Sequence, residues 1–268
     1  AYIELAKEYG VKVDYIWHSS VTPHRIKYDA LGGAINFPVK VDRVLSWGRL
    51  NEEWLSEIES SVPFVRTGSP IAQRYRRKNK KNEQGGSDTA LIIEYNVPFM
   101  DLDGLSSDKF LYFIKTVQLL RARGWKKIIF KTHPGLFNFQ YYKKIAQLYD
   151  LDCDVICHQP LHEILPKVGS RVIGPVYSGA ALECLAAGKE YLGVLLPPTS
   201  MSSHYYKGWT LLEDLGDLEE FYDTDKVLDG EQVLEDLYAF SSIENFPQRF
   251  WAAQEECSAS ALKTELAI

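Results

Sequence analysis

Five short runs of consecutive apolar residues, separated by stretches of helical spacing, constrain this chain more than any other feature. They lie in TALIIEYN, KKIIFKT, CDVICH, RVIG and YLGVLLP. Between them stand SSDKFLYFIKTVQLLRARG, FNFQYYKKIAQLYD, PLHEILPKVG and SGAALECLAAG. A strand that is apolar on both faces has to be covered on both faces, and strands joined through helices run parallel. The spacing therefore predicts an α/β fold, a parallel sheet between helical layers with right-handed crossovers. Ser106 or Ser107 caps the first of these helices and Gly124 stops it.

A weaker copy of the pattern comes first. Residues 1–9 read as a helix ending at Gly10, and VKVDYIWHSS, VDRVLSWG and VPFVRTGSP read as strands. The helix LNEEWLSEIES carries Leu50, Trp54 and Ile58 on one face. Residues 74–88, RYRRKNKKNEQGGSD, are basic and then rich in Gly and Ser. Such a segment buries too little surface to order itself, so it reads as a linker. Two domains are expected, a partial one over 1–80 and a second over 81–268 that includes acidic helices from about 211 and a long helix from Gln248. Three strands make a poor doubly wound sheet, and Ala1 opens directly into a helical segment. The expectation is a truncated first domain with earlier sequence missing.

A net charge of -6 excludes a protein built to coat nucleic acid. The basic run is either solvated or suited to a membrane surface bearing anionic headgroups. No apolar stretch is long enough to span a bilayer and no signal peptide is present. Cys153, Cys157, Cys184 and Cys257 read as reduced core thiols, which points to the cytoplasm.

In open α/β sheets, ligands sit beyond the carboxyl ends of the strands. IIFKTHPG, residues 128–135, is one such end. Pro134 and Gly135 shape the turn, and a helix starting near Phe137 or Asn138 directs free N–H groups at the same crevice. His133 can donate there to an anionic oxygen; the plainer reading makes it a passenger in a turn. RVIGPVYSGAALE is a second end, where Tyr177, Ser178 and Gly179 open a helix. Ser178 is an N-cap, alone or together with a bound phosphate. Gly179, Ala180 and Ala181 are small enough for close approach. Glu183, amid Ala and Leu, needs a partner: a pair of ribose hydroxyls, or a salt bridge to Lys189 or Arg171. His18, at a strand end, is either a general base or a capped-turn residue, and His24, Asp101 and Asp103 are further candidates. His158 and His162 read as structural. Tyr205, Tyr206 and Trp209 read as a buried aromatic cluster more than as a sugar pocket.

With Lys131-Thr132-His133-Pro134 followed by Ser178-Gly179-Ala180-Ala181-Leu182-Glu183 and Gly188, the chain resembles the C-terminal half of GT-B glycosyltransferases and the related sugar-nucleotide epimerases. Within that group it looks most like bacterial transferases that use CMP-activated sialic acid or Kdo. The resemblance covers about 86–200 well and 1–70 loosely. Where those enzymes carry a double Ser, this chain has Ser178-Gly179, and its nearest acidic pair before a Gly is Asp101–Asp103.

The resemblance implies two Rossmann-like domains facing a cleft, the first on the acceptor side. The donor nucleotide is then held by Thr132, His133, Pro134, Gly135, Tyr177, Ser178, Gly179, Ala180 and Glu183. The expected reaction moves a sugar from a nucleotide-sugar donor, CMP-linked by preference, to a surface glycan or lipid-linked glycan acceptor. His133, preferably as imidazolium, and His18 are the catalytic candidates, with no metal, no cofactor beyond the donor, and no nucleic acid. A CDP-linked polyol-phosphate transferase, a UDP-sugar epimerase and a non-catalytic nucleotide-binding relic are the alternatives.

Overall fold

The computed structural model of the chain describes residues 2–16, 41–57, 61–69, 87–95, 107–134, 139–196, 203–225 and 228–238, with 248 and 251. It divides into two compact units, Ala1–Arg74 with Glu231–Ile268, and Tyr75–Gly230.

The first unit holds three parallel strands, β1 (Asp14–Ile16), β2 (Arg43–Ser46) and β3 (Phe64–Arg66), with β2 in the middle. Central position explains why β2 is buried along its whole length. Asp14 and Arg43 are register partners, and the guanidinium grips the carboxylate through Nε at 3.1 Å and Nη2 at 2.6 Å. Helix Arg49–Glu57 contributes Glu52, whose Oε1 accepts from the Ser46 hydroxyl at 2.9 Å and from Arg66 Nε at 2.7 Å.

The chain after residue 230 corrects the expected domain plan. Helix Gly230–Tyr238 packs in the first unit instead of extending the second. A Cβ added to Gly48 would lie 2.4 Å from the Leu237 carbonyl oxygen, so only Gly lets this helix come so close. Tyr238 also meets the Trp47 ring at 6.3 Å and accepts from the Ser69 amide at 3.3 Å. Most of the long helix expected from Gln248, and most of the expected linker, lie outside the described residues.

The second unit is one parallel sheet. Its strands are β4 (Thr89–Ile93), β5 (Lys127–Lys131), β6 (Asp154–Ile156), β7 (Arg171–Pro175), β8 (Glu190–Val194) and β9 (Leu211–Leu212), in the order β6-β5-β4-β7-β8-β9. The chain enters at β4, steps twice to one side, then returns past β4 and steps outward the other way. Right-handed crossovers put the helices of the two halves on opposite faces. Helices Ser107–Ala122 and Phe139–Leu148 share a ring cluster with β5: Phe113 lies 4.4 Å from Phe130 and 5.2 Å from Tyr142. Helix Leu161–Ile164 packs on helix Gly179–Ala186, which lies against β7 and β8.

β9 was expected as part of an acidic helical tail; its two residues, Leu211 and Leu212, are too few to leave a strand signature. Tyr206 and Trp209 are buried, with ring centroids 6.1 Å apart, as an aromatic cluster and not a sugar pocket. Cys157 and Cys184 are buried free thiols, whereas Cys153 is half-exposed. Among the described residues no helix is long and apolar enough to cross a membrane.

Candidate functional site

The order reverses between β4 and β7, so the crevice outside their carboxyl ends is the place where a doubly wound sheet binds ligands. β5 and β7 flank β4 and all three run parallel. Their following loops therefore leave the same edge, separated by two strand spacings of about 5 Å each.

The loop after β5 is pinned before it turns. Lys131 and Thr132 are buried, while the His133 and Pro134 side chains are exposed. The Thr132 amide continues the ladder to the Ile156 carbonyl at 2.9 Å, and its hydroxyl donates to the same oxygen at 3.2 Å. Lys131 Nζ donates to the Thr132 carbonyl at 2.7 Å and to that of Cys157. The His133 amide donates to Glu94 Oε2 at 2.6 Å, and Cys157 Sγ approaches the His133 carbonyl at 3.6 Å. Each of these bonds fixes backbone and leaves the imidazole outside, directed by a rigid support.

Burial pushes the Lys131 ammonium down, while Cys157, Glu94 and Glu183 hold it up. The two cations weighed as partners for Glu183 make contacts of their own. Arg171 Nη2 pairs with Glu190 at 2.7 Å, and Lys189 Nζ donates to the Val168 and Gly169 carbonyls at 2.8 and 3.1 Å. His133 is held below its usual range by partial burial and then by the Lys131 charge. The imidazolium expected from sequence is the form that a phosphate beside the ring would favour.

The loop after β7 opens helix Gly179–Ala186 with Ser178 as N-cap, its hydroxyl accepting from the Ala180 amide at 3.2 Å. Gly179 is exposed, and a Cβ there would meet nothing within 4 Å. The protein itself does not require Gly at that point. Ala180 is half-buried beside it.

Tyr177 departs from the sequence reading. Its side chain is 1% exposed and turned into the core, edge to face with Tyr95 at 6.0 Å. Only its backbone can face a ligand. Gly135, His18, His24, Asp101 and Asp103 lie outside the described residues. His158 is exposed, with its ring 6.1 Å from that of Phe139.

Sequence reading missed Glu94. The signal was present: a carboxylate closing an otherwise apolar strand run is costly to bury unless it has a partner. Its partner is the backbone 39 residues later, which no local pattern reveals.

These features define an α/β fold of the GT-B type, with units built on parallel sheets and a candidate ligand edge in the second. The chain is similar in structure to a protein from Listeria monocytogenes assigned as a UDP-N-acetylglucosamine 2-epimerase, at 14% identity and TM-score 0.62, covering 95% of this chain and 71% of that one. It is also similar to the UDP-GlcNAc 2-epimerase from Neisseria meningitidis bound to UDP-GlcNAc, at 13% identity and TM-score 0.57, covering 93% and 72%. A third likeness is to the pneumococcal O-GlcNAc transferase GtfA in complex with UDP and GlcNAc, at 11% identity and TM-score 0.52, covering 96% of this chain and 54% of that one. At these identities the likeness is one of fold. No family model and no curated protein matches the sequence.

Proposed function

We propose that this chain is a nucleotide-sugar enzyme that holds its donor at the carboxyl edge of the second sheet and transfers the sugar to a glycan acceptor. The observation that carries this reading is the shared edge: the His133 turn and the Ser178–Gly179 helix start leave the same end of the sheet, from the two strands that flank β4. The donor leaves as a nucleotide phosphate, on which negative charge grows in the transition state. Fixed donors aimed at that charge lower the barrier. His133, the Ser178 hydroxyl and the amide of Gly179 supply them. Glu183 takes the ribose hydroxyls, and His18 is the candidate base for the acceptor hydroxyl.

A CMP-sugar is the donor favoured by the Lys131–Pro134 and Ser178–Gly188 segments. A UDP-sugar, with epimerisation in place of transfer, is the second reading. It is supported by likeness of fold to a 2-epimerase bound to UDP-GlcNAc. Calorimetric titration with CMP, CDP, UDP and GDP separates the two. Tighter binding of CMP supports the first and tighter binding of UDP the second; binding of none refutes the donor site.

A further inference from the structure

Glu94 and Lys131 are 3% and 8% exposed, at the ends of adjacent strands. Burying ionisable side chains is a poor way to gain stability, since apolar residues of similar volume serve as well or better. Here both side chains bond to the backbone of one tripeptide, Lys131-Thr132-His133, and Lys131 Nζ also takes the Cys157 carbonyl. The Glu94 amide donates to the Lys131 carbonyl at 2.9 Å and the Glu94 carboxylate accepts from the His133 amide at 2.6 Å. Lys131 Nζ takes the Thr132 carbonyl at 2.7 Å, and the Cys157 thiol faces the His133 carbonyl at 3.6 Å. Glu94 does with its carboxylate what its own carbonyl would do in a regular parallel ladder, accepting from the His133 amide. It prolongs the ladder by one step, to the residue whose ring is exposed.

Resting on the donor-site reading above, we propose that Glu94 is a positioning residue: its carboxylate fixes the His133 backbone so that the imidazole meets the donor phosphate. Groups held rigidly by a supporting shell lose no orientation when the ligand arrives, whereas a loosened turn has to be ordered at the cost of affinity. Gln at position 94 keeps an acceptor oxygen for the His133 amide and Ala does not.

The test is a double-mutant cycle read by titration with whichever of CMP, CDP, UDP and GDP binds the wild type most tightly. Glu94→Ala is expected to weaken binding at least tenfold, and Glu94→Gln less than threefold. His133→Ala with Glu94→Ala is expected to be no weaker than His133→Ala alone, because both remove the same contact. A purely structural role would lower thermal stability without that coupling. If Glu94→Ala does not fold, Glu94→Met, which fills the volume without offering the His133 amide a carboxylate or amide oxygen, takes its place in the cycle. Folded variants that bind within twofold of wild type, or losses at 94 and 133 that multiply, overturn the positioning role while leaving the donor site standing. Wild type that binds none of the four nucleotides, or a His133→Ala chain that binds as wild type does, takes down the donor-site reading and this role with it.

Discussion

Tyr95 and Tyr177 meet edge to face, ring centroids 6.0 Å apart, and join the backbone just beyond β4 to the turn that follows β7. Tyr95 also donates its hydroxyl to the Leu196 carbonyl at 2.7 Å, and burial pushes that phenol up to about 12. Both rings are buried core side chains.

Tyr177→Ala is therefore expected to cost about 3–5 kcal/mol of stability through the cavity it leaves. Tyr177→Phe, which loses only the hydroxyl, is expected to cost about 1 kcal/mol. Denaturant unfolding checks both. Nucleotide affinity of the Phe variant is expected to stay within twofold of wild type; a tenfold loss would return the Tyr177 hydroxyl to the binding site.

Gly179 gives the converse case. A Cβ there meets nothing of the protein, and its backbone is not in the left-handed region. Gly179→Ala is expected to leave stability unchanged or raise it by up to about 1 kcal/mol, as Ala does in a helix. The same methyl group stands where a phosphate would approach the helix start, so nucleotide affinity is expected to fall about tenfold. Thermal melting and titration on one sample separate the two effects.

Ser178 combines a cap with a candidate ligand contact. Ser178→Ala is expected to cost about 1 kcal/mol as a lost N-cap, and Ser178→Gly only a few tenths. Both remove the hydroxyl, so both are expected to lose nucleotide affinity equally. Affinity that instead tracks stability would make Ser178 a cap alone.

The pH dependence follows from His133. Partial burial and Lys131 lower its pKa in the free protein, and a phosphate beside it raises the pKa in the complex. Binding then takes up a proton. Affinity is highest below the free pKa and declines as pH rises through the pKa of the complex. Calorimetry in buffers of different ionisation enthalpy is expected to show more proton uptake for wild type than for His133→Gln. The phosphate's own ionisation, near about pH 6, contributes to both and cancels in the difference. Equal uptake in the two proteins contradicts the assignment.

The sheet of the second unit was legible because continuous apolar runs have one stable use, a strand covered on both faces. The His133 and Ser178 turns were legible as strand ends followed by helix starts. What escaped notice was long-range. Glu94 is read correctly only when its contact 39 residues later is known. Helix Gly230–Tyr238 has the apolar face of any amphipathic helix, with Val233, Leu234, Leu237 and Tyr238 buried, and nothing in that pattern says which sheet it will cover. Gly48 and Leu237 decide it, through a close approach that sequence spacing does not encode. Tyr177 stands next to an N-cap at the mouth of the crevice, where sequence cannot tell an inward ring from an outward one.

The central claim is that two loops hold one phosphate. Amide 1H–15N spectra recorded during a nucleotide titration test it most directly. The amides of Thr132 and His133 and those of Ser178, Gly179 and Ala180 are expected to shift together and to fit a single Kd. Shifts confined to one loop, or two loops fitting different Kd values, would contradict the account.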